Sequence, residues 1–557
     1  MSLRIDQSTG TRDAEARCDA VLRSALWAAA GDALGWITEL SRGEQGVQYR
    51  SGVTQVTQPI VWHRLIGGKG GPRVRFAAGT YSDDTQLRLA VSRAIRGDGT
   101  FDVEAFAKIE LTVWPTYALG GGIGTKAAAS NLTRRGVNWF SNFFKTSTHS
   151  YVESGGNGAA MRIQPHVWAA RDNAKSPMLL NVLRDALVTH GHPHGFCGAV
   201  FHALALESTI RNGSLPGISL WGSFVARFSE LSDLVSDDPQ LAAFWRSAWE
   251  AASGRTLKEA LRHVREEGER DIAQIEQLLD GPDSASYHRI LDVLGCLSPK
   301  FRGSGLKTVL ASTALAELFR SRPVEEALVC AANELESDTD TIATMAGALL
   351  GALAPSEPLW PIQDRQYISS EAVRLAEIAS GKMQQSFRYP DLALWNPPAK
   401  QNASVGLHDH DIAIAGLGVL RPAGGDYNVG DSAWEWYELS FGQTILAKRK
   451  SQMGPVAFDQ LPGSMQSRVT EERPMKPKAI SPHPTLPFSA SREAPRERKL
   501  ENTVDRLSDD AISSGFDDAT LGRLLNQCID TTNSVDSAIA FAAIVAKAKL
   551  ARARRRR

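Results

Sequence analysis

Cysteine is scarce in this sequence of 557 residues, and its few copies form no pattern. Cys18, Cys197, Cys296, Cys330 and Cys528 are scattered, odd in number and never at CxxC spacing. Disulfide frameworks and structural zinc sites need paired or clustered thiolates, so neither is expected, and a reducing cytoplasmic setting fits. Long apolar runs are missing too. Without 18 consecutive apolar residues no helical membrane span is expected, and the polar, charged first residues do not read as a secretory signal. There is no excess of charge of one sign, because 62 Lys and Arg balance 62 Asp and Glu. The chain as a whole therefore has no case for non-specific nucleic-acid binding. The balance is uneven only at the end, where Lys547, Lys549, Arg552 and Arg554 to Arg557 cluster.

What is present is enough apolar material for a large core, 43% of residues against 22% charged. Residues 17–395 read as one mainly helical unit. Ala25 and Ala29 share a face of a first helix. Leu87, Ala90, Val91, Ala94 and Ile95 stripe a second beginning near Asp83. A third begins near Gly195, and Ile342, Met345, Ala346, Leu349 and Leu350 stripe a fourth beginning near Asp340. Strand signals are weak there, so the unit is expected to be all-α, a compact multi-helix domain. Residues 400–450 are rich in Val, Ile, Tyr and Trp around a glycine turn, and read as a small β element. Residues 451–500 carry prolines among Ser, Arg, Lys and Glu, the composition of a disordered linker. Residues 501–557 read as a helical tail with a basic end. Leu521, Leu524, Leu525, Cys528 and Ile529 form its stripe. Two readings of that tail stay open: a tether to a protein partner, or a solubilising end.

Two acidic clusters lie far apart in the chain, Ser82-Asp83-Asp84-Thr85 and Ser337-Asp338-Thr339-Asp340-Thr341, each at the start of a helix. One such cluster needs no function, since aspartate caps orphan N–H groups and suits the helix dipole. Two clusters of carboxylates and hydroxyls are hard oxygen donors for Mg²⁺ or Mn²⁺, and brought together they would hold a two-metal centre. Asp32, in Gly31-Asp32-Ala33-Leu34-Gly35, falls on the inward face of the first helix. A helix end at Gly35 would explain the glycine but not a buried aspartate. Gly120 to Lys126 and Ser154 to Arg162 contain glycine-rich stretches whose backbone amides could approach an anion, although neither is a nucleotide-binding fingerprint. His190, His192 and His194 alternate as transition-metal ligands can, and a histidine-metal hydrolase is a rival reading of low rank.

In this order, GDALG with Glu39, Ser-Asp-Asp-Thr, GxGT, GNGAAMRI, Thr-His and Asp-Thr-Asp-Thr, the motifs over about residues 17–390 resemble the ADP-ribosylglycohydrolase family. Glu336 and Ser337 stand where glycines are frequent, and Ser82 where threonine is frequent. The resemblance implies an all-α fold around a binuclear Mg²⁺ or Mn²⁺ centre and a hydrolase that removes ADP-ribose from a modified protein side chain or a small molecule. Nucleic acid would enter only as a modified substrate. By motif, Ser82, Asp83, Asp84, Asp338, Asp340 and Thr341 would bind metal. Asp84 and Glu39 would assist attack by a metal-activated water on the anomeric carbon, and Asp32 would support the ligands from behind. Gly122, Gly124, Thr125, Gly155, Gly156, Asn157, Gly158 and His190 would line the ADP-ribose cleft. A catalytically inactive ADP-ribose-binding scaffold is the alternative. The resemblance does not extend to residues 400–557.

Overall fold

The computed structural model describes residues 7–68, 70–171, 175–463, 501–532 and 535–555. These divide into two compact units, residues 1–473 and 474–557. The first unit is mostly helical and carries a small sheet. Among the described residues no helix is long and apolar enough to cross a membrane.

At its centre the helix Gln7–Thr38 crosses the helix Thr339–Leu353. The first helix does not stop at Gly35. It continues to Thr38, and the glycine serves close approach instead. A Cβ at Gly35 would lie 2.3 Å from the Thr339 carbonyl oxygen, and one at Gly31 would lie 2.3 Å from that of Ala343. Gly347 answers from the other side, where a Cβ would meet the Trp27 carbonyl oxygen at 2.4 Å. Main chain thus packs on main chain. Gly35→Ala is expected to destabilise the protein by about 1–3 kcal/mol, because an interior this dense cannot absorb a methyl group without shifting backbone. Chemical denaturation checks this, and an unchanged midpoint would show that the crossing can spread.

The helix Asp83–Ala94 is buried at every position. Asp32 ties it to the first helix, accepting Ser82 N–H and Thr85 N–H at 2.9 Å each and the Thr85 hydroxyl at 2.5 Å. A carboxylate facing the positive end of another helix satisfies donors that would otherwise be orphaned, which accounts for an aspartate on an apolar face. Arg93, on the same helix, pairs with the buried Glu110 at 2.8 Å and donates to Gln443 Oε1 at 2.7 Å.

Gln443 lies beside a five-stranded antiparallel sheet. Its strands Val405–His408, Asp411–Ile414, Gly418–Val429, Ser432–Leu439 and Thr444–Lys450 pair in chain order, with irregularities in register around Gly424. The sheet's inner residues, among them Ile414, Leu420, Tyr437 and Ile445, belong to the same hydrophobic core as the helices. Of the proline-rich stretch 451–500, residues 451–463 follow the sheet edge, where Val456 N–H donates to the Leu407 carbonyl at 2.7 Å. The remainder lies outside the described residues.

The all-α expectation for residues 17–395 needs one correction. Trp62–Leu65 and Arg73–Phe76 form an antiparallel hairpin. Its strands are four residues long and carry His63, Arg64, Arg73 and Arg75, so alternation is too short to stand out from a polar loop. Trp36, Trp62 and Phe76 close over it with ring centroids 4.8 to 5.1 Å apart.

The second unit comprises the helices Glu501–Ser513, Asp518–Thr532 and Val535–Arg555. Leu507, Ala511, Phe516, Leu524, Cys528, Phe541 and Val545 form its own small core. Ile529, read from the sequence as part of the apolar stripe, faces outward at 43% exposure.

Candidate functional site

Both acidic clusters sit at helix N-termini. Asp83 and Asp84 open the helix Asp83–Ala94, Asp338 is the residue before the helix Thr339–Leu353, and Asp340 lies in its first turn. The central crossing, with Asp32 tying the start of Asp83–Ala94 to the first helix, brings the two N-termini together, so two positive dipole ends converge on one place. There they form the floor of a cleft of about 920 Å³. Every residue proposed from the sequence for metal, substrate or catalysis lines this cleft except Ser82 and Asp32. Ser82 is fully buried, and its hydroxyl accepts the Asp84 N–H at 3.2 Å as the helix cap.

The floor holds more negative charge than its own partners can neutralise. One carboxylate oxygen from each of Glu39, Asp338 and Asp340 lies within 4.8 Å of the others. Asn157 Nδ2 donates to Asp338 Oδ2 at 2.8 Å, and the Thr341 hydroxyl donates to Asp84 Oδ1 at 3.3 Å. Asp84 Oδ2 is buried and has no hydrogen-bond partner. Burial pushes the Asp83 carboxyl up to about 8, with Glu39 and Asp32 adding repulsion. Burial likewise holds Asp84 well above the ordinary carboxylate range, reinforced by Asp32, Asp83 and Asp338. Asp340 is raised in the same way by burial, Glu39, Asp84 and Asp338. Buried like charges repel at short range and persist only when protonated or when a cation joins them. An all-oxygen set of carboxylates and hydroxyls suits a hard divalent cation such as Mg²⁺ or Mn²⁺. The residues therefore fit a metal centre.

Two glycine segments wall the cleft. Gly122 precedes the helix Ile123–Leu132, and Gly120 comes so near the floor that a Cβ there would lie 2.1 Å from Asp83 Oδ1. With φ at 134°, position 120 is open to glycine alone. The other segment, Gly155 to Gly158, is tied to the loop before the helix Gly305–Leu318. Asn157 N–H donates to the Gly303 carbonyl and Gly305 N–H to the Gly155 carbonyl, both at 2.9 Å. His190 stands against this wall with Nδ1 hydrogen-bonded to the Thr189 hydroxyl at 2.7 Å. Burial, then the nearby Arg162 guanidinium, drives its pKa down to about 3, so the ring is neutral at physiological pH.

Sequence reasoning gave Arg162 no role, yet it organises this wall. Fully buried, it pairs with Asp185 at 2.8 Å, donates to the Gly158 carbonyl at 3.0 Å and donates to the Thr189 hydroxyl at 2.9 Å. It therefore holds both the glycine loop and the pedestal of His190. The available signal was a guanidinium set in the apolar run Ala159-Ala160-Met161-Arg162-Ile163. Also missed were Arg64, which donates to Glu39 Oε2 at 2.8 Å, and the cleft residues His149 and Phe301. The alternating histidines do not act as a set. His192 Nδ1 accepts the His194 N–H at 3.1 Å at the start of the helix Pro193–Asn212, and His194 bridges Ser304 and Glu267 at 2.9 Å each.

The ADP-ribosylglycohydrolase family model matches residues 13–383. An ADP-ribosyl-(dinitrogen reductase) glycohydrolase of Rhodospirillum rubrum is 34% identical over 179 residues, covering 31% of this chain and 52% of that protein. The chain thus spans about half the length of that relative. The ADP-ribosylhydrolase ARH3 of Danio rerio is 27% identical over 290 residues, covering 49% of this chain and 69% of that protein. A solved structure described as an ADP-ribosylglycohydrolase-related protein complex aligns at 20% identity and a TM-score of 0.41, over 66% of this chain and 99% of that one.

Proposed function

The chain belongs to the ADP-ribosylglycohydrolase family, and from that premise we propose that it hydrolyses the N- or O-glycosidic bond joining ADP-ribose to a modified protein side chain. The observation that carries this reading is the meeting, at the floor of one cleft, of Glu39, Asp83, Asp84, Asp338 and Asp340 with two glycine-rich walls. Asp83, Asp84, Asp338 and Asp340, with the hydroxyls of Ser82 and Thr341, would hold two Mg²⁺ or Mn²⁺ ions. Bound there, such ions supply Lewis-acid polarisation of ribose oxygens and lower the pKa of water toward neutrality.

The chain's own residues do the rest. Gly122, Gly124, Thr125 and Gly155 to Gly158 receive the ADP-ribose, the glycine amides among them free of side-chain bulk where phosphate oxygens approach. Asn157, fixed by Asp338 and Gly303, orients the sugar beside the floor. His190, neutral and anchored through Nδ1, presents Nε2 to the ligand. Asp84 Oδ2, buried without a partner, is the atom that takes the proton of the attacking water, with the Glu39 carboxylate, in the same floor, as its companion. Attack at the anomeric carbon passes through an oxocarbenium-like state as the glycosidic bond breaks, and the departing side-chain nitrogen or oxygen takes up the proton that Asp84 gained from the water. Asp32 holds the Asp83–Ala94 helix in register behind them.

The test is release of free ADP-ribose from ADP-ribosyl-arginine and ADP-ribosyl-serine peptides with Mg²⁺, with Mn²⁺ and with EDTA. Release that needs the cation is expected. No release from either peptide under any of these conditions would count against the reading.

A further inference from the structure

The sheet of residues 405–450 lies beyond the residues that match the family model, 13–383, yet it is linked by contact to the acidic floor. Its strand Ser432–Leu439 carries Trp436, whose ring meets Phe76 of the hairpin edge-on at 6.2 Å between centroids. Its neighbour Trp434 sits under the hairpin loop, where a Cβ at Gly67 would come within 3.0 Å of the indole. Tyr427, from the preceding strand, accepts the Arg75 N–H on its hydroxyl at 3.4 Å. The hairpin register pairs Trp62 with Phe76, His63 with Arg75 and Arg64 with Val74. Fixing Phe76 and Arg75 therefore fixes Arg64.

Arg64 reaches the site directly. Its guanidinium lies over the Trp36 ring at 5.6 Å and donates to Glu39 Oε2 at 2.8 Å. Glu39 needs such a partner. It stands just past the last turn of the first helix and is followed by Leu40, a non-glycine residue at φ 53°. Arg50 holds only the Glu39 backbone, donating to its carbonyl at 2.6 Å. A glutamate side chain loses rotamer freedom when it is fixed, and a planar guanidinium seated on an indole is pre-organised to fix it.

We propose that the sheet is a positioning device for the acidic floor: by holding the Trp62–Phe76 hairpin, it lets Arg64 fix the Glu39 carboxylate beside Asp338 and Asp340. The proposal rests on the reading of that floor as a cation site. Arg64 acts through Glu39, and Trp436 acts through Phe76 and Arg64. Outer partners of this kind typically change metal affinity 10–100-fold.

The experiment is a titration of the full-length chain with Mn²⁺ alone, followed by electron paramagnetic resonance. It compares wild type, Arg64→Ala, Trp436→Leu, Tyr427→Phe and Glu39→Gln, with Arg64→Ala and Trp436→Leu also made in the Glu39→Gln background. Arg64→Ala is expected to weaken Mn²⁺ binding about tenfold or more, and Trp436→Leu to weaken it in the same direction. Both effects should vanish once Glu39 is glutamine, which a purely structural role would not produce. Melting curves separate positioning from unfolding, and Tyr427→Phe, which deletes one hydroxyl, gives a milder break in the same link. Tighter Mn²⁺ binding in Arg64→Ala would overturn the proposal, because Arg64 would then be competing for Glu39. Wild-type binding in both folded sheet variants would remove the sheet from the device. Absence of Mn²⁺ binding to wild type would instead overturn the cation reading on which it stands.

Discussion

Asp340→Asn is expected to reduce ADP-ribose release about a thousandfold, roughly 4 kcal/mol of transition-state stabilisation, while raising the melting temperature of the metal-free protein. The two halves follow from one fact. Burial, Glu39, Asp84 and Asp338 all oppose the charge on Asp340. Without a cation that charge is a cost to the fold, and an amide of the same shape relieves it. With cations bound the charge becomes a ligand, and the amide is a poor replacement. In Mn²⁺ the order of stability should therefore reverse. A ligand present at a hundred times its dissociation constant stabilises by about 2.7 kcal/mol, and the variant should lose most of that gain. Calorimetry with EDTA and with Mn²⁺, alongside a release assay, measures both halves. Near-wild-type turnover in Asp340→Asn would remove Asp340 from the proposed centre.

The second large effect is on pH dependence. In EDTA the protein should lose stability as pH rises from about 4 to about 8. Asp83 is pushed up to about 8 by burial and by its neighbours Glu39 and Asp32, against about 3.9 in an unfolded chain. Asp84, Asp338 and Asp340 are raised in the same direction, burial leading in each case. Over that window the folded state keeps protons that the unfolded state has released, so stability is full below the unfolded value and declines as pH passes through the folded one. A fall of several degrees is expected, at about 2–4 °C per kcal/mol for chains of a few hundred residues. Saturating Mg²⁺ or Mn²⁺ should abolish the decline, since the cation takes the place of the protons. A flat profile in EDTA would mean that the floor carries less charge than its geometry implies.

The parts of the site that follow helical periodicity were legible in the sequence. The phase of Asp32 with Ala25 and Ala29 puts it on an inward face, and it is fully buried. The two acidic clusters were placed at helix starts, and both are there. Asp338 and Asp83 are 255 positions apart in the chain, however, and periodicity says nothing about which helices cross. Gly31, Gly35 and Gly347 mark the crossing of the first helix with Thr339–Leu353, but Gly35 reads equally well as the end of a helix, and the meeting with Asp83 runs through Asp32. Arg64 was invisible for another reason. Its partner is 25 positions upstream, and the strand carrying it is too short to show alternation. Arg162 was seen only as a letter in a motif, because a buried arginine declares itself through its partners, and Asp185 and Thr189 are distant in sequence.

The crossing of Gln7–Thr38 with Thr339–Leu353 has a consequence for how such a protein can diverge. Its closest approaches are between backbone atoms at Gly31, Gly35 and Gly347, so the separation between the end of the first helix and the start of Thr339–Leu353 is insulated from the identity of the surrounding core side chains. Leucine, valine and methionine around them can be exchanged over generations, and the rulers that space Asp338 and Asp340 from Glu39 stay the same. Drift in the core and constancy at the floor are thereby uncoupled. The rims, where Leu40 and Ile123 are 53% and 70% exposed, are not bound by that spacing.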